Sequence, residues 1–230
     1  LARHHTVVVP DLPGHAFTGM PSNGAGSAQL SLPGMARALA ALLAQLQLKP
    51  SRLVGHSAGT AVAVRMALDG LATPGSIVGI NAALLPLGGL AGQWFSPAAK
   101  LMAALPLVPR LFAWRAQSPA VLGRLLDGTG STLNSEGRAL YHRLVSDADH
   151  VAGALAMMAN WDLPQLARDL PRLSTRLHLI VGERDRAVPP EDARQVRALL
   201  GPAARGQLHS LAGLGHLAHE EAPQRMDELL

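Results

Sequence analysis

The segment 55–59, Gly-His-Ser-Ala-Gly, matches the G-x-S-x-G pattern that exposes a serine hydroxyl on a sharp turn between a strand and a helix. The apolar pair Leu53-Val54 precedes it, and the run 60–64, Thr-Ala-Val-Ala-Val, follows it, so both flanking elements are predicted. Because such a turn strains the serine backbone, small residues are expected two positions before and after it, and both are glycine. The pattern predicts Ser57 as a nucleophile and the amide of Ala58 as a donor to a developing oxyanion.

A serine hydroxyl becomes a good nucleophile only when an imidazole takes its proton, and the imidazole needs a carboxylate on its other nitrogen. Two later segments offer these groups. Asp185 lies just past the apolar run 177–181, which is typical of a buried strand, and His216 follows a last strand predicted near 207–211. We therefore predict that Ser57, Asp185 and His216 form a catalytic triad.

Other side chains compete for the role of the acid. Glu183 lies two residues before Asp185, and we interpret it as a solvated loop charge. We interpret Asp162 as a helix cap. Asn81 follows the strand predicted over 77–80, but a neutral amide cannot stabilise an imidazolium by its charge.

Two further histidines lie close to these residues in the sequence. His56 precedes the serine, and we expect it to line the site. His219 lies three residues after His216, a spacing faintly like that of a metal-binding pair, but a metal site needs three or four converging ligands. We interpret His219 as a surface or supporting residue, and we expect neither a metal nor another cofactor.

The elements that must position these residues alternate between strands and helices. Strands are predicted over 6–9, 53–56, 77–80, 177–181 and 207–211. An amphipathic helix is predicted between Pro33-Gly34 and Lys49-Pro50, with apolar residues at helical spacing: Leu39, Leu42, Leu43 and Leu46. This alternation predicts an α/β fold with a mostly parallel, doubly wound sheet that binds ligands at the carboxyl ends of its strands.

From residue 84 to residue 170 the pattern becomes helical, with helix starts predicted at Ser96-Pro97 and Ser118-Pro119. We predict a helical cap over 84–170 on a core formed by 1–83 and 171–230. Ordinary helix packing is the alternative role for an apolar cap residue, since methionine commonly fills irregular core gaps. The residues predicted to contact substrate are His56, Asn81, Trp94, Met157 and Trp161.

Composition bounds the class of protein. With 230 residues, of which 48% are hydrophobic, the chain can bury one sizeable core. The absence of cysteine excludes a disulfide framework, a thiol nucleophile and a cysteine zinc site.

The positive charge is concentrated in one part of the chain. Residues 70–126 hold four basic and no acidic side chains, which equals the net charge of +4 for the whole chain. That segment is also apolar, but its repeated glycines, Pro86 and Pro97 argue against a membrane-spanning helix. Because arginine greatly outnumbers lysine in a chain rich in Ala, Leu, Gly and Pro, the charge does not indicate a nucleic-acid partner, and we predict none.

The elbow 54–59, the turn 11–15 and the segment 213–216 resemble the α/β-hydrolase superfamily, in which nucleophile, acid and base follow one another in this order. More narrowly, four runs resemble the BchO family of magnesium-chelatase accessory proteins in bacteriochlorophyll biosynthesis: 81–87, 95–97, 111–115 and 156–163. The likeness extends over nearly the whole chain. It implies an α/β-hydrolase fold with a helical cap, and a role near magnesium insertion into protoporphyrin IX. We expect a cytoplasmic protein with peripheral contact to the membrane.

The resemblance leaves two functions open. One is a serine hydrolase acting on an ester or other acyl bond, with a general carboxylesterase or lipase-like enzyme as a variant. The other is a non-catalytic accessory that holds a porphyrin for the chelatase, because a flat apolar ring with carboxylate tails suits a cavity of apolar side chains and arginines. The expected partners are a small apolar or amphiphilic molecule, a porphyrin among them, the chelatase subunits and an anionic membrane surface.

The resemblance also implies strands that these residues do not encode. The third strand of the family's sheet lies between the fourth, predicted here over 6–9, and the strand that carries the elbow. The sequence begins at Leu1, directly before that fourth strand. We therefore expect a fragment that lacks the N-terminal strands and the upstream His-Gly loop with the second oxyanion donor.

Overall fold

The computed structural model describes residues 1–86, 105 and 107–230. This part of the chain forms one parallel sheet with the strand order β1-β2-β3-β4. The strands are β1 Arg52–His56, β2 Ser76–Ile80, β3 Arg176–Gly182 and β4 Arg205–Leu211. Four of the five predicted strands are thereby confirmed to within two residues at either end.

The fifth predicted strand is wrong. Residues 6–9 form no strand, and Val9 is 87% exposed. Four consecutive residues of high strand propensity still need a neighbour for their backbone groups. β1 stands at one edge of the sheet and pairs only with β2 in the described ranges. Residues 6–9 do not pair with its free edge and take part in no ladder.

Helices flank the sheet in chain order. Those of the predicted core are α1 Leu32–Gln45, α2 Ala58–Leu68, α8 Asp192–Leu199, α9 Ala218–Glu221 and α10 Pro223–Leu229. The segment between β2 and β3 carries α3 Leu107–Ala116, α4 Pro119–Asp127, α5 Ser135–Val145, α6 Ala148–Asn160 and α7 Leu163–Asp169. The described residues of this segment are mostly helical, as predicted. That the segment forms a separate cap domain stays a prediction. The predicted start at Ser96-Pro97 lies outside the described residues.

Helix starts follow the expected chemistry. The hydroxyl of Ser31 accepts a hydrogen bond from the Gly34 amide at 3.2 Å, with Pro33 in the first turn of α1. Asp162 is a helix cap, as predicted, because its Oδ1 accepts from the Gln165 amide at 2.8 Å. Ser118-Pro119 opens α4 through the proline alone, since the Ser118 side chain makes no capping bond.

Both faces of the sheet are buried, which is the condition for parallel strands. Along β2, Ile77 belongs to one hydrophobic cluster with α1 and α2, while Val78 and Ile80 belong to a second one with Met226 of α10. The alternation of side chains along a strand produces this division. The first cluster also takes in apolar residues of α6 and α7: Ala156, Met157, Leu163 and Leu166. The sheet is therefore doubly wound, as predicted.

A buried ion pair ties α2 to the end of α7. Arg65 Nη1 lies 2.7 Å from Asp169 Oδ2, and both residues are less than a tenth exposed. Hydrogen bonding from Arg65 holds the pKa of Asp169 below its ordinary value against the opposing effect of burial. Since α2 begins directly after Ser57, this pair helps to fix the helix on which the candidate nucleophile sits.

In the described ranges, no helix combines the length and apolar character needed to cross a bilayer.

We expect Asp169→Ala to lower the free energy of unfolding by about 1.5–3 kcal/mol, because Arg65 loses one of its two carboxylate partners and keeps only that of Asp69. A folded pKa below the unfolded value of about 4 means that the stabilisation is complete above that pH and is lost as pH falls through the folded pKa. The difference in unfolding free energy between wild type and variant should therefore become smaller at acidic pH. Urea unfolding at a series of pH values measures it.

Arg172→Ala is the matched control. The Arg172 side chain is 72% exposed and lies 3.4 Å from the other carboxylate oxygen of Asp169, so its removal should cost less than about 1 kcal/mol. Equal losses of unfolding free energy in Asp169→Ala and Arg172→Ala would contradict a special role for the buried ion pair.

Candidate active site

Ser57 occupies the turn between β1 and α2 in a strained backbone conformation. Its φ of 50° lies in the left-handed region, which a non-glycine residue seldom adopts without a structural reason. Its amide donates to the Ile80 carbonyl at 2.9 Å, and its carbonyl accepts from the amides of Thr60 and Ala83. The strain is therefore held by hydrogen bonds to the end of the neighbouring strand and to the helix that follows.

The two glycines of the elbow differ in the room that their surroundings leave for a side chain. A Cβ on Gly55 would lie 2.4 Å from the Thr60 nitrogen, so only glycine fits there. A Cβ on Gly59 would meet no atom of the described residues within 4 Å. The expectation of a small residue is thus supported at Gly55, while at Gly59, which lies on the helix beyond the close approach, the structure leaves room for at least one methyl group among the described residues.

Asp185 lies in the loop after β3 and has a fully buried side chain. Its Oδ1 accepts from the amides of Ala187 and Val188 at 2.8 and 2.9 Å, and its Oδ2 accepts from Asn81 Nδ2 at 2.7 Å. Burial acts to raise the pKa of Asp185, but the hydrogen bonds from His216, Val188 and Asn81 outweigh it and hold the pKa below its ordinary value. The carboxylate is therefore charged at neutral pH.

His216 lies after β4 and meets this carboxylate. Its Nδ1 is 2.8 Å from Asp185 Oδ2, and the imidazole is nearly buried. A carboxylate on Nδ1 fixes the proton there and leaves Nε2 free to accept one. The structure thus brings two members of the predicted triad into contact.

The ring of His56 connects this pair to the elbow. Its centroid lies 4.7 Å from that of His216, and its Nε2 is 2.8 Å from the His216 carbonyl oxygen. On its other side it packs against His219, with ring centroids 4.3 Å apart. Burial, followed by the charges of His219 and His216, lowers the pKa of His56 to about 3, so this ring is neutral.

In the described part of the chain, His216 Nε2 makes no hydrogen bond to the Ser57 hydroxyl. Hydrogen bonds between a catalytic base and its nucleophile are often long until substrate binds, so this geometry leaves the roles open. The Ala58 amide opens α2 and has no acceptor within the helix, which suits the predicted oxyanion contact.

The residues predicted to contact substrate are placed in different surroundings. Asn81 is 1% exposed and contacts the acid, while Met157 and Trp161 pack against the main hydrophobic cluster. His56 lies beside the base, as described, and Trp94 lies outside the described residues. Substrate contact by these five residues stays a prediction.

One contributor was missed by sequence reasoning. Thr60 is fully buried, and its hydroxyl donates to the Gly55 carbonyl at 2.8 Å, which closes the elbow. Its signal was a single polar residue within an apolar helical run. Asn81 was predicted as a substrate contact, and its observed role is different: it donates to the acid from the end of β2, at a φ of 46°.

Within the described ranges, no three side chains of His, Cys, Asp or Glu converge as metal ligands would. The competing acid Glu183 accepts a hydrogen bond from the Ser210 hydroxyl at 2.9 Å on the surface.

Known proteins with similar sequences show the family to which this chain belongs. A sequence model described as the alpha/beta hydrolase family matches residues 1–229. A protein of Rhodobacter capsulatus named magnesium-chelatase 30 kDa subunit is 38% identical over 231 residues, a match that covers all of this chain and 78% of that protein. The resemblance noted in the sequence is thereby confirmed.

Solved structures agree at the level of the fold. An alpha/beta hydrolase fold protein from Burkholderia ambifaria superposes with a TM-score of 0.71 at 21% identity, over 94% of this chain and 76% of that one. A malate-bound esterase from Thermogutta terrifontis gives a TM-score of 0.68 at 23% identity, over 96% and 76% of the two chains.

The elbow geometry generates a prediction about its two glycines. Gly55→Ala should either fail to fold or lose more than about tenfold in the rate at which Ser57 reacts with a fluorophosphonate, because the Cβ displaces the Thr60 backbone. Gly59→Ala should keep that rate and melt at an equal or higher temperature, since alanine is the better helix former. Thermal melting and labelling of both variants test this, and equal damage at the two positions would contradict it.

Proposed function

The chain belongs to the alpha/beta hydrolase family, and from that premise we propose that it is a serine hydrolase acting on an ester or other acyl bond. The observation that carries the proposal is the buried pair of His216 and Asp185, placed at the same sheet edge as the strained Ser57. The neutral His56 ring beside His216 supports this reading, because it adds no competing charge next to the base.

The proposed reaction assigns one task to each group. The Ser57 oxygen attacks the acyl carbon while its proton moves to His216 Nε2, and Asp185 stabilises the imidazolium that forms. The Ala58 amide donates to the carbonyl oxygen as it becomes an oxyanion. When the intermediate collapses, the leaving alcohol takes the proton from His216. Water then attacks the acyl-serine with the same base, which releases the acid and restores Ser57.

The place of this reaction in the cell is proposed from the relative named above. A protein called a magnesium-chelatase subunit, 38% identical to this chain, points to work beside magnesium insertion into a porphyrin. We propose chelatase subunits as partners and a cytoplasmic location with peripheral membrane contact.

Ser57→Ala should abolish labelling by a fluorophosphonate probe and hydrolysis of simple esters, because no other residue of the elbow carries a hydroxyl that reaches the same point. The measurement compares wild type and variant at equal concentration, with melting temperature as the control for folding. A wild type that does not label would end the proposal of hydrolysis.

The same pair of proteins tests the link to pigment synthesis. Expressed in cells that make bacteriochlorophyll and lack the native gene, wild type should support pigment formation and Ser57→Ala should not. A normal pigment level in cells that express Ser57→Ala would show that the pathway role does not depend on hydrolysis.

A second candidate, a porphyrin-binding accessory, is favoured by one feature. Helix α3 exposes Arg110 and Arg115 together with Leu111 and Trp114, of which Trp114 is 65% exposed. Apolar surface beside guanidinium groups suits a flat apolar ring with carboxylates.

Changing Arg110 and Arg115 together to glutamine should weaken protoporphyrin IX binding about tenfold or more, because each loses a charge-assisted hydrogen bond. Fluorescence titration measures the affinity. Arg124→Gln, a change of the same kind on α4, is the control, and unchanged binding in the double variant would remove the carboxylate contact.

A further inference from the structure

The loop that carries His216 is held from outside the sheet. Three consecutive amides of this loop donate to groups that do not belong to it. Gly215 donates to Glu221 Oε2 at 2.7 Å, His216 donates to the Thr129 carbonyl at 3.0 Å, and Leu217 donates to Ser131 Oγ at 2.8 Å.

Two of these acceptors belong to the turn between α4 and α5, residues 128–134, which we name the α4–α5 turn. Its Ser131 lies 86 residues before Leu217 in the sequence, within the segment between β2 and β3. Ser131 is 8% exposed, and its bond to Leu217 is buried, so the Leu217 amide has no water to replace it.

The third acceptor joins the same turn to the loop. Glu221 accepts from Gly215 with one carboxylate oxygen and from the Thr132 amide, at 2.9 Å, with the other. One side chain therefore bridges the α4–α5 turn and the residue directly before the base.

Packing reinforces these bonds on both sides of His216. A Cβ on Gly215 would lie 2.4 Å from the Gly130 carbonyl carbon, so the two backbones are in close contact. Leu217 is 4% exposed and packs with Leu122, Leu126 and other apolar residues of α4 and α5. The residues before and after the base are thus both seated on the α4–α5 turn and its flanking helices.

The turn also contacts the acid loop. The Thr129 carbonyl accepts from the Arg186 amide at 3.3 Å, and a Cβ on Gly130 would lie 1.9 Å from the Arg184 carbonyl oxygen. Arg184 and Arg186 flank Asp185. One turn therefore touches the chain on both sides of the acid and on both sides of the base.

We propose that Ser131 and Glu221 are positioning residues, which hold His216 at the distance and angle that the proposed reaction requires. This inference rests on the proposed function, since it gives the two residues a role in that chemistry. Small displacements of a catalytic base are costly, because proton transfer depends steeply on geometry.

The test compares Ser131→Ala with Ser131→Thr and with Asn134→Ala. Asn134 lies in the same turn, and its side chain caps α5 through the Gly137 amide at 2.8 Å. Its loss should destabilise the helix without touching the base loop. Thr keeps the hydroxyl that accepts from Leu217.

The first readout is amide hydrogen exchange at residues 215–217, which needs no activity. Ser131→Ala should accelerate exchange there roughly tenfold, while Asn134→Ala and Ser131→Thr should leave it near the wild-type rate. Unchanged exchange in Ser131→Ala, or equal acceleration in Asn134→Ala, would overturn the proposal.

The second readout is the kinetics of hydrolysis of a small aryl ester. Ser131→Ala should lower kcat roughly tenfold with KM within twofold of wild type, and Ser131→Thr should restore kcat. Glu221→Gln should have a similar effect, since the neutral amide offers one acceptor oxygen where the carboxylate offers two. An unchanged kcat in Ser131→Ala despite faster exchange would remove the catalytic role.

The two readouts separate the failure of this inference from that of the proposed function. A wild type that neither hydrolyses esters nor labels would end the proposed chemistry, and with it the catalytic role of Ser131 and Glu221. The exchange data would still decide whether Ser131 holds the loop.

Discussion

The shared direction of four strands is the constraint on which the whole site depends. In a parallel sheet every strand finishes at the same edge, so residues that follow different strands meet there whatever their separation along the chain. Ser57 follows β1, Asn81 follows β2, Asp185 follows β3 and His216 follows β4. The register pairs His56 with Ile80 and Ile80 with Ile180, which brings the ends of β1 and β2 level, while β3 continues two residues further to Gly182. Reversal of any one strand would send its functional residue to the opposite edge.

The sequence was most informative about side chains of a catalytic type that directly follow a predicted strand. A serine on a glycine turn, and a carboxylate and an imidazole after apolar runs, were enough to predict the four strands and the contact between Asp185 and His216. Strand formation at residues 6–9 could not be judged from the same kind of pattern. A strand depends on a partner as well as on its own residues, and within the described ranges residues 6–9 pair neither with the free edge of β1 nor with another strand.

The parts that escaped prediction are contacts between distant polar groups. Nothing in the composition of residues 128–134 distinguishes them from an ordinary surface turn, yet Ser131 reaches Leu217 and Thr129 reaches His216. Such bonds depend on how the helices between β2 and β3 fold back over the sheet. A single sequence carries no period or motif for that arrangement. The different demands on Gly55 and Gly59 escaped for a similar reason, because the crowding comes from the backbone of Thr60.

The contact between Asn81 and Asp185 has a consequence for how such a site can diversify. One amide nitrogen and one carboxylate oxygen lie 2.7 Å apart at the ends of adjacent strands, and asparagine and aspartate differ by a single group of nearly equal size. Exchanging these two side chains would keep an amide against a carboxylate and would place the negative charge at the end of β2 instead of after β3. In this chain the carboxylate is that of Asp185, and the adjacent strand end carries the neutral amide of Asn81.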